Sequence, residues 1–251
     1  MSYLSNKSID PKDRLIFALD VPGMKQAREM VAQLGESVSF YKLGLQLFMA
    51  GGYFELVEWL RSQGKQVFAD LKFFDVPETV RLAVEQLNQR GITFTSVHGN
   101  DGILQAAVEA KCDVGILAVT VLTSLDEDDL RQLGFRCRPE ELVLSRARRA
   151  LELGCEGVIS SGLEVPRLRE ALGSHLVVVT PGIRPVSNTD DQKRTVDVRR
   201  AFLHGADYIV VGRPIRDAQD PRAKAEEMQQ TISDLFSTKS STGVPSVSVT
   251  C

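Results

Sequence analysis

The sequence contains no Cys-x-x-Cys pair. Its four cysteines, Cys112, Cys137, Cys155 and Cys251, stand as isolated thiols, which argues against a disulfide framework and fits a reducing, cytoplasmic setting. No apolar run approaches the roughly 18 residues that cross a bilayer, and the opening residues lack the long apolar core of a secretion signal. Basic excess is also missing. A formal net charge of −3 argues against nucleic acid as the main partner. Finally, the first predicted strand is followed by Asp20-Val21-Pro22-Gly23 rather than the Gly-x-Gly-x-x-Gly turn of a dinucleotide-binding sheet.

What is present is an alternation. Short apolar runs are predicted as strands at 15–19, 39–43, 94–98, 114–119, 157–160, 176–180 and 208–211, with the third strand supplied by the stretch 66–77, which begins apolar and turns out near Asp75. Between them the apolar residues recur at helical spacing, over 24–34, 53–62, 77–89, 101–111, 139–153, 165–172, 197–203 and 221–236. Several of these helices end at glycine. Eight such units in 251 residues predict an α/β fold, a single-domain (β/α)8 TIM barrel. A doubly wound sheet is the competitor, and the first turn speaks against it. The expected organisation is a loose arm over 1–13, a barrel over 14–236 and a disordered tail over 237–251.

In such a barrel the chemistry gathers at the C-terminal ends of the strands. Polar residues collect there: Asp20, Lys42, Asp70, Lys72, His98, Thr120, Thr123, Ser124, Ser160, Ser161, Thr180, Gly212 and Arg213. The densest group is the stretch Gln66-Val67-Phe68-Ala69-Asp70-Leu71-Lys72-Phe73-Phe74-Asp75-Val76-Pro77, which begins as the third strand and has Asp75 where the chain turns out of it, just before Pro77. In an extended strand Asp70 and Lys72 share a face, and a buried strand seldom carries such charges without a use. Single members have plainer readings. Asp20 can fix the Pro22-Gly23 turn, Asp75 can cap a helix with Glu78, and Lys42 can form a structural ion pair. His98 reads as a hydrogen-bonded strand end, and His175 and His204 as helix or surface positions. Gly212-Arg213-Pro214 reads as a phosphate site built from backbone N–H groups and a guanidinium. The polar segment 183–194 above it reads as a lid, with Arg184 and Gln192 within reach of the phosphate.

Taken in order, Leu19-Asp20, Lys42-Leu43-Gly44, Asp70-x-Lys72-x-x-Asp75-Val76-Pro77, Val121-Leu122-Thr123-Ser124, Thr180-Pro181-Gly182-Ile183-Arg184, Gln192 and Val211-Gly212-Arg213-Pro214 resemble the bacterial form of the orotidine 5′-phosphate decarboxylases, over about residues 14 to 236. Two departures are Glu78, where the family often has Asn, and Gly99-Asn100-Asp101 after His98. Neither touches a catalytic group. The resemblance implies conversion of orotidine 5′-monophosphate to UMP and CO2 without metal or organic cofactor. It implies Lys72 as proton donor, Asp70 near the departing carboxylate, and Lys42 and Asp20 on the ribose. Thr123 and Ser124 would meet the base, and Pro181, Arg184, Gln192, Gly212 and Arg213 would line the phosphate end. Asp75 and Thr79 would reach a neighbouring subunit's site, making a homodimer with shared sites, and no phosphoribosyltransferase domain is expected.

Three rivals remain at this stage. Sugar-phosphate relatives, 3-keto-L-gulonate 6-phosphate decarboxylase and hexulose-phosphate synthase, share the Asp-x-Lys-x-x-Asp pattern but use Mg²⁺. A Schiff-base aldolase would need a neutral Lys72, which neighbouring carboxylates oppose. A catalytically silent phosphate-binding barrel would have no use for the full Lys-Asp-Lys-Asp set.

Overall fold

The computed structural model describes residues 2–184 and 195–237. Eight parallel strands, β1 (Leu15–Ala18), β2 (Phe40–Gly44), β3 (Gln66–Phe73), β4 (Phe94–Val97), β5 (Gly115–Val119), β6 (Gly157–Ile159), β7 (Val177–Thr180) and β8 (Tyr208–Val211), pair in sequence order. The barrel closes where β1 meets β8, with Ile16 opposite Val210.

Strands buried on both faces read as nearly unbroken apolar runs, and alternate residues sort into two layers. Inward-facing Ile16, Ala18, Phe40, Phe68, Phe94, Leu117, Val179, Tyr208 and Val210 fill the interior. Aromatic rings form much of that packing: Phe40 stacks on Phe94 at 6.0 Å, and Phe68 meets Phe94 edge-on at 6.5 Å. The outward residues lie under the helices. In α1 (Met24–Leu34) the buried positions are Ala27, Val31 and Leu34, one stripe of a 3.6-residue period.

Two short helices, α2 (Leu45–Met49) and α3 (Tyr53–Ser62), follow β2, and α4 (Pro77–Glu85) follows β3. Then come α5 (Asp101–Ala110), α6 (Glu127–Gln132), α7 (Pro139–Glu152) and α8 (Val165–Leu172). The barrel is completed by α9 (Val198–Leu203), α10 (Arg213–Arg216) and α11 (Pro221–Ser237). The periodicity did not reveal α2, α6 or α10, because one turn or two is too short to show a period. The acidic run Asp126-Glu127-Asp128-Asp129 starts α6: Asp126 accepts from Asp129 N, and Asp129 returns a carboxylate to Asp126 N. Carboxylates in the first turn also oppose the helix dipole favourably.

The N-terminal arm is not loose. Tyr3 N donates to Leu203 O at 2.9 Å, Ile9 packs against the interior cluster, and Lys7 Nζ donates to Leu176 O at 2.9 Å. The anchor is Asp207, fully buried just before β8. It accepts from Lys7 Nζ (3.1 Å), Arg169 Nη2 (2.7 Å), Val178 N (2.9 Å) and Ser5 Oγ (2.5 Å). A polar composition suggested solvent, but these polar groups are complementary to a carboxylate some 200 positions away. The expected tail lies outside the described residues except for Ser237, which belongs to α11.

Candidate active site

Three neighbouring strands share one local pattern: a phenylalanine in the interior, then a polar residue two positions on. The triplets are Phe40-Tyr41-Lys42, Phe68-Ala69-Asp70 and Phe94-Thr95-Ser96. Because side chains alternate along a strand, Lys42, Asp70 and Ser96 sit one layer above the aromatic rings, toward the C-terminal mouth. There a cavity of about 330 Å³ opens, lined by residues from several strand ends.

Lys42 Nζ lies 3.1 Å from Asp20 Oδ1 and 3.4 Å from Asp70 Oδ2. Lys72 Nζ donates to Asp70 Oδ1 at 2.8 Å. Asp70 is thus held between two ammonium groups and also accepts from Ser96 Oγ at 2.8 Å. Burial alone would raise the Asp70 pKa. The charges of Lys42 and Lys72 and the hydrogen bonds from Lys72 and Ser96 outweigh it and hold the carboxyl below the usual range. For Lys42, burial would lower the pKa, and the adjacent Asp70 and Asp20 reverse that and raise it. Both groups are therefore ionised at neutral pH.

The third strand is not the regular ribbon assumed from sequence. Its ladder to β4 runs Ala69 opposite Thr95 and resumes at Phe73 opposite Val97. Four positions along β3 therefore match two along β4. Within this bulge Lys72 has φ 48°, a left-handed conformation uncommon for a residue with a side chain. Lys72 and Asp70 do meet, as expected, but through the bulge rather than through simple alternation.

The same cavity is lined, from the segments that follow β7 and β8, by Pro181, Gly182, Arg184, Gly212 and Arg213. Gly182 turns the chain with φ 75°, where a side chain would be strained. Ile183 bridges Val196, and Arg184 N donates to Val196 O at 3.0 Å; the side chain of Arg184 is buried and donates to Ile183 O at 2.8 Å. Thr123 and Ser124 complete the rim beyond β5. Five cationic side chains (Lys42, Lys72, Arg184, Arg213, Arg216) and two anionic ones (Asp20, Asp70) line the cavity, a balance suited to an anionic ligand.

The structure thus brings Asp20, Lys42, Asp70, Lys72, Thr123, Ser124, Pro181, Arg184, Gly212 and Arg213 to one cavity. Asp75 and Thr79 are not among its lining residues, and both are exposed. Asp75 does not cap α4, whose N-cap is Val76; its carboxylate accepts from Val76 N at 2.7 Å. Gln192 and most of the lid segment lie outside the described residues. Thr120 faces away from the chemistry, donating to Ile159 O at 2.7 Å. His98 lies outside the cavity with its ring against Phe74. Burial, with Arg146 and Lys72 nearby, lowers its pKa.

Sequence reasoning missed two residues. Ser96 was legible through the repeated phenylalanine-x-polar triplet. Arg216, which lines the cavity and donates from Nη1 to the backbone oxygen of Asp20 at 3.0 Å, left no local signal, being 196 positions from its partner. Among the described residues, no group of three or more His, Cys, Asp or Glu side chains is placed to hold a metal ion. No helix among them is long and apolar enough to cross a membrane.

The chain is similar to known proteins in sequence and in fold. Residues 13–228 match the orotidine 5'-phosphate decarboxylase / HUMPS family. An orotidine 5'-phosphate decarboxylase of Methylococcus capsulatus is 62% identical over 237 residues, covering 94% of this chain and 98% of its own. One from Xylella fastidiosa is 48% identical over 224 residues, covering 88% of this chain and 92% of its own. Among solved structures, the orotidine 5'-phosphate decarboxylase of Lactobacillus acidophilus superposes with a TM-score of 0.78 at 36% identity, covering 88% of this chain and 99% of that one.

Proposed function

Since this chain belongs to the orotidine 5'-phosphate decarboxylase / HUMPS family, we propose that its cavity performs the decarboxylation with Lys72 as proton donor and without a metal or organic cofactor. The reaction itself, orotidine 5′-monophosphate to UMP and CO2 in pyrimidine biosynthesis, is the activity of this enzyme. One observation carries the mechanistic reading: Asp70, buried between Lys42 and Lys72, lines the same cavity as Arg184, Gly212 and Arg213.

The bond between C6 and the carboxylate breaks heterolytically. CO2 departs and the electron pair stays on C6, where no adjacent carbonyl can accept it. The ammonium of Lys72 stabilises that charge electrostatically and then transfers a proton from Nζ to C6; the amine regains a proton from solvent. Asp70 orients Lys72 through its 2.8 Å contact while lying near the departing carboxylate. Lys42 and Asp20 hold the ribose, and Thr123 and Ser124 meet the base. Pro181, Arg184, Gln192, Gly212 and Arg213 take the phosphate end, and binding energy there organises the charged cluster. The five-to-two excess of cations in the lining suits a substrate carrying both a phosphate and a carboxylate. Isolated thiols at Cys112, Cys137 and Cys155 support a cytoplasmic location.

The test is the ultraviolet absorbance change on mixing the protein with orotidine 5′-monophosphate, with and without EDTA. Conversion to UMP at the same rate in both supports the reading. Loss of turnover in EDTA, restored by Mg²⁺, would put a metal in the mechanism and overturn the cofactor-free reading.

Asp75 and Thr79 serve, in this reading, the site of a second copy of the chain. Their exposure supports it, as does that of Phe74 (68%) and Val76 (62%) on either side of Asp75, large apolar groups of the kind an interface covers. Subunit mixing tests the point. Lys72→Ala and Asp75→Ala chains, each inactive alone, form heterodimers after unfolding and refolding together. One of the two sites in each heterodimer then contains both native residues, so activity returns to about a quarter of the parental value, as expected for random pairing of symmetric dimers. A mixture as inactive as its components would confine Asp75 to its own subunit.

A further inference from the structure

We propose that Ser96 is a positioning residue for the decarboxylation: its buried hydroxyl fixes both the backbone and the ammonium of Lys72 relative to Asp70. This inference rests on Lys72 being the proton donor.

The need for such a residue comes from the bulge. Where β3 has four positions for two of β4, the Lys72 N–H loses its regular ladder carbonyl. An unpaired N–H in this partly buried strand is costly, and a φ of 48° persists only where the surroundings hold it. Ser96 Oγ meets that requirement, accepting from Lys72 N at 2.9 Å. Ser96 has no exposed surface, so its single hydroxyl proton has to find a protein acceptor. That acceptor is Asp70 Oδ1, at 2.8 Å. The same oxygen accepts from Lys72 Nζ, also at 2.8 Å.

The contacts therefore close a ring: Lys72 N–H donates to Ser96 Oγ, Ser96 O–H donates to Asp70 Oδ1, and Lys72 Nζ donates to that same Oδ1. The ring leaves and re-enters the same lysine, once through its backbone and once through its reactive head. A change at Ser96 consequently displaces both ends of Lys72, while the ribose-side pair of Lys42 and Asp20 (3.1 Å) and the arginines of the phosphate end are left in place. Positioning of this kind acts on kcat, because sub-ångström placement of the proton donor matters at the reacting carbon and little to the rest of the substrate.

The adjacent Thr95 provides a matched control. It is equally buried and sits in the same irregular stretch, but its hydroxyl donates to a backbone oxygen, Ala69 O, at 3.0 Å. It touches no charged group of the site. A purely structural role for Ser96 would make the two residues behave alike.

The experiment measures kcat and KM for orotidine 5′-monophosphate, affinity for UMP and thermal unfolding in the parent, Ser96→Ala, Ser96→Thr and Thr95→Val proteins. Expected is a fall in kcat of roughly 100-fold in Ser96→Ala, as for a misplaced catalytic group. KM and UMP affinity should change less than about threefold, since phosphate and ribose contacts stay. Ser96→Thr, which keeps the hydroxyl, should recover kcat to within about tenfold of the parent, and Thr95→Val should lose thermal stability with kcat nearly unchanged. A folded Ser96→Ala with parental kcat overturns the proposal, and so does a loss confined to KM or matched by Thr95→Val. If Ser96→Ala fails to fold, Ser96→Cys, close in volume and a weaker donor, decides on the same scale: reduced kcat at unchanged KM supports the proposal, and unchanged kcat overturns it. A parent without turnover would sink the decarboxylase mechanism itself, whereas an active parent with an unaltered Ser96→Ala sinks this inference alone.

Discussion

Lys72→Ala is expected to lose roughly 10⁵-fold in kcat/KM for orotidine 5′-monophosphate while remaining folded. The estimate combines general-acid catalysis, typically about 10²–10⁴-fold, with removal of one electrostatic stabiliser, about 10²–10³-fold. Both effects reside on the same ammonium, so a single truncation removes both. The fold should survive because Asp70 retains Lys42 at 3.4 Å and Ser96 at 2.8 Å, and because the Lys72 side chain is itself over a third exposed (36%). Affinity for UMP should hold within about tenfold, since the phosphate and ribose groups are untouched. Lys72→Arg should not rescue the activity. It keeps the charge, but the guanidinium is planar and bulky and its pKa is too high for proton transfer near neutrality. Stopped assays over long incubation give the rate, and circular dichroism gives the fold. A Lys72→Ala protein within tenfold of the parent would remove Lys72 from the chemistry.

The second large effect lies at the opposite end of the barrel. Asp207→Ala should destabilise the protein by about 4 kcal/mol, the typical cost of breaking a buried ion pair by removing one partner. The carboxylate is fully buried and Arg169 is nearly so, with side-chain exposures of 0% and 6%. Without it, the Arg169 guanidinium loses its 2.7 Å partner, Val178 N loses an acceptor, and Ser5 and Lys7 lose the contact that holds the arm to the barrel base. For a domain of this size the loss corresponds to a drop in Tm of about 10 °C. Asp207→Asn should recover little, because a neutral amide cannot compensate the buried cation. Activity per folded molecule should stay near the parental value, since the mouth of the barrel is not involved. Limited proteolysis should then cut the first residues of the arm much faster than in the parent. A Tm within about 2 °C of the parent would show that Asp207 is not the anchor.

These two expectations differ in how far the sequence foreshadowed them. Lys72 was prominent because a charged residue in an apolar strand stands out locally, and the barrel rule places strand ends around one mouth. Asp207 attracted no notice: an aspartate between a helix and a strand is commonplace. Its importance comes from Arg169 and Lys7, which lie 38 and 200 positions away. The arm was misjudged for the same reason.

The sequence by itself determined the order of strands and helices, the barrel that follows from it, and the placement of Lys42, Asp70 and Lys72 at the same mouth. It could do so because periods of 2 and 3.6 residues are local properties, written within a few turns of chain. It could also have yielded Ser96, through the phenylalanine-x-polar triplet repeated on three strands. Only the tertiary structure decided how those groups meet. The bulge in β3 arises from a mismatch between two strands, which neither strand encodes alone. The contact of Arg216 with Asp20 exists only because β1 and β8 close the barrel. Asp75 and Thr79 lie beside the catalytic lysine in sequence yet outside its cavity, because the chain leaves the barrel mouth at Phe74. Hydrogen bonds and ion pairs act over about 3 Å in space, and sequence separation carries no information about that distance until the fold has been made.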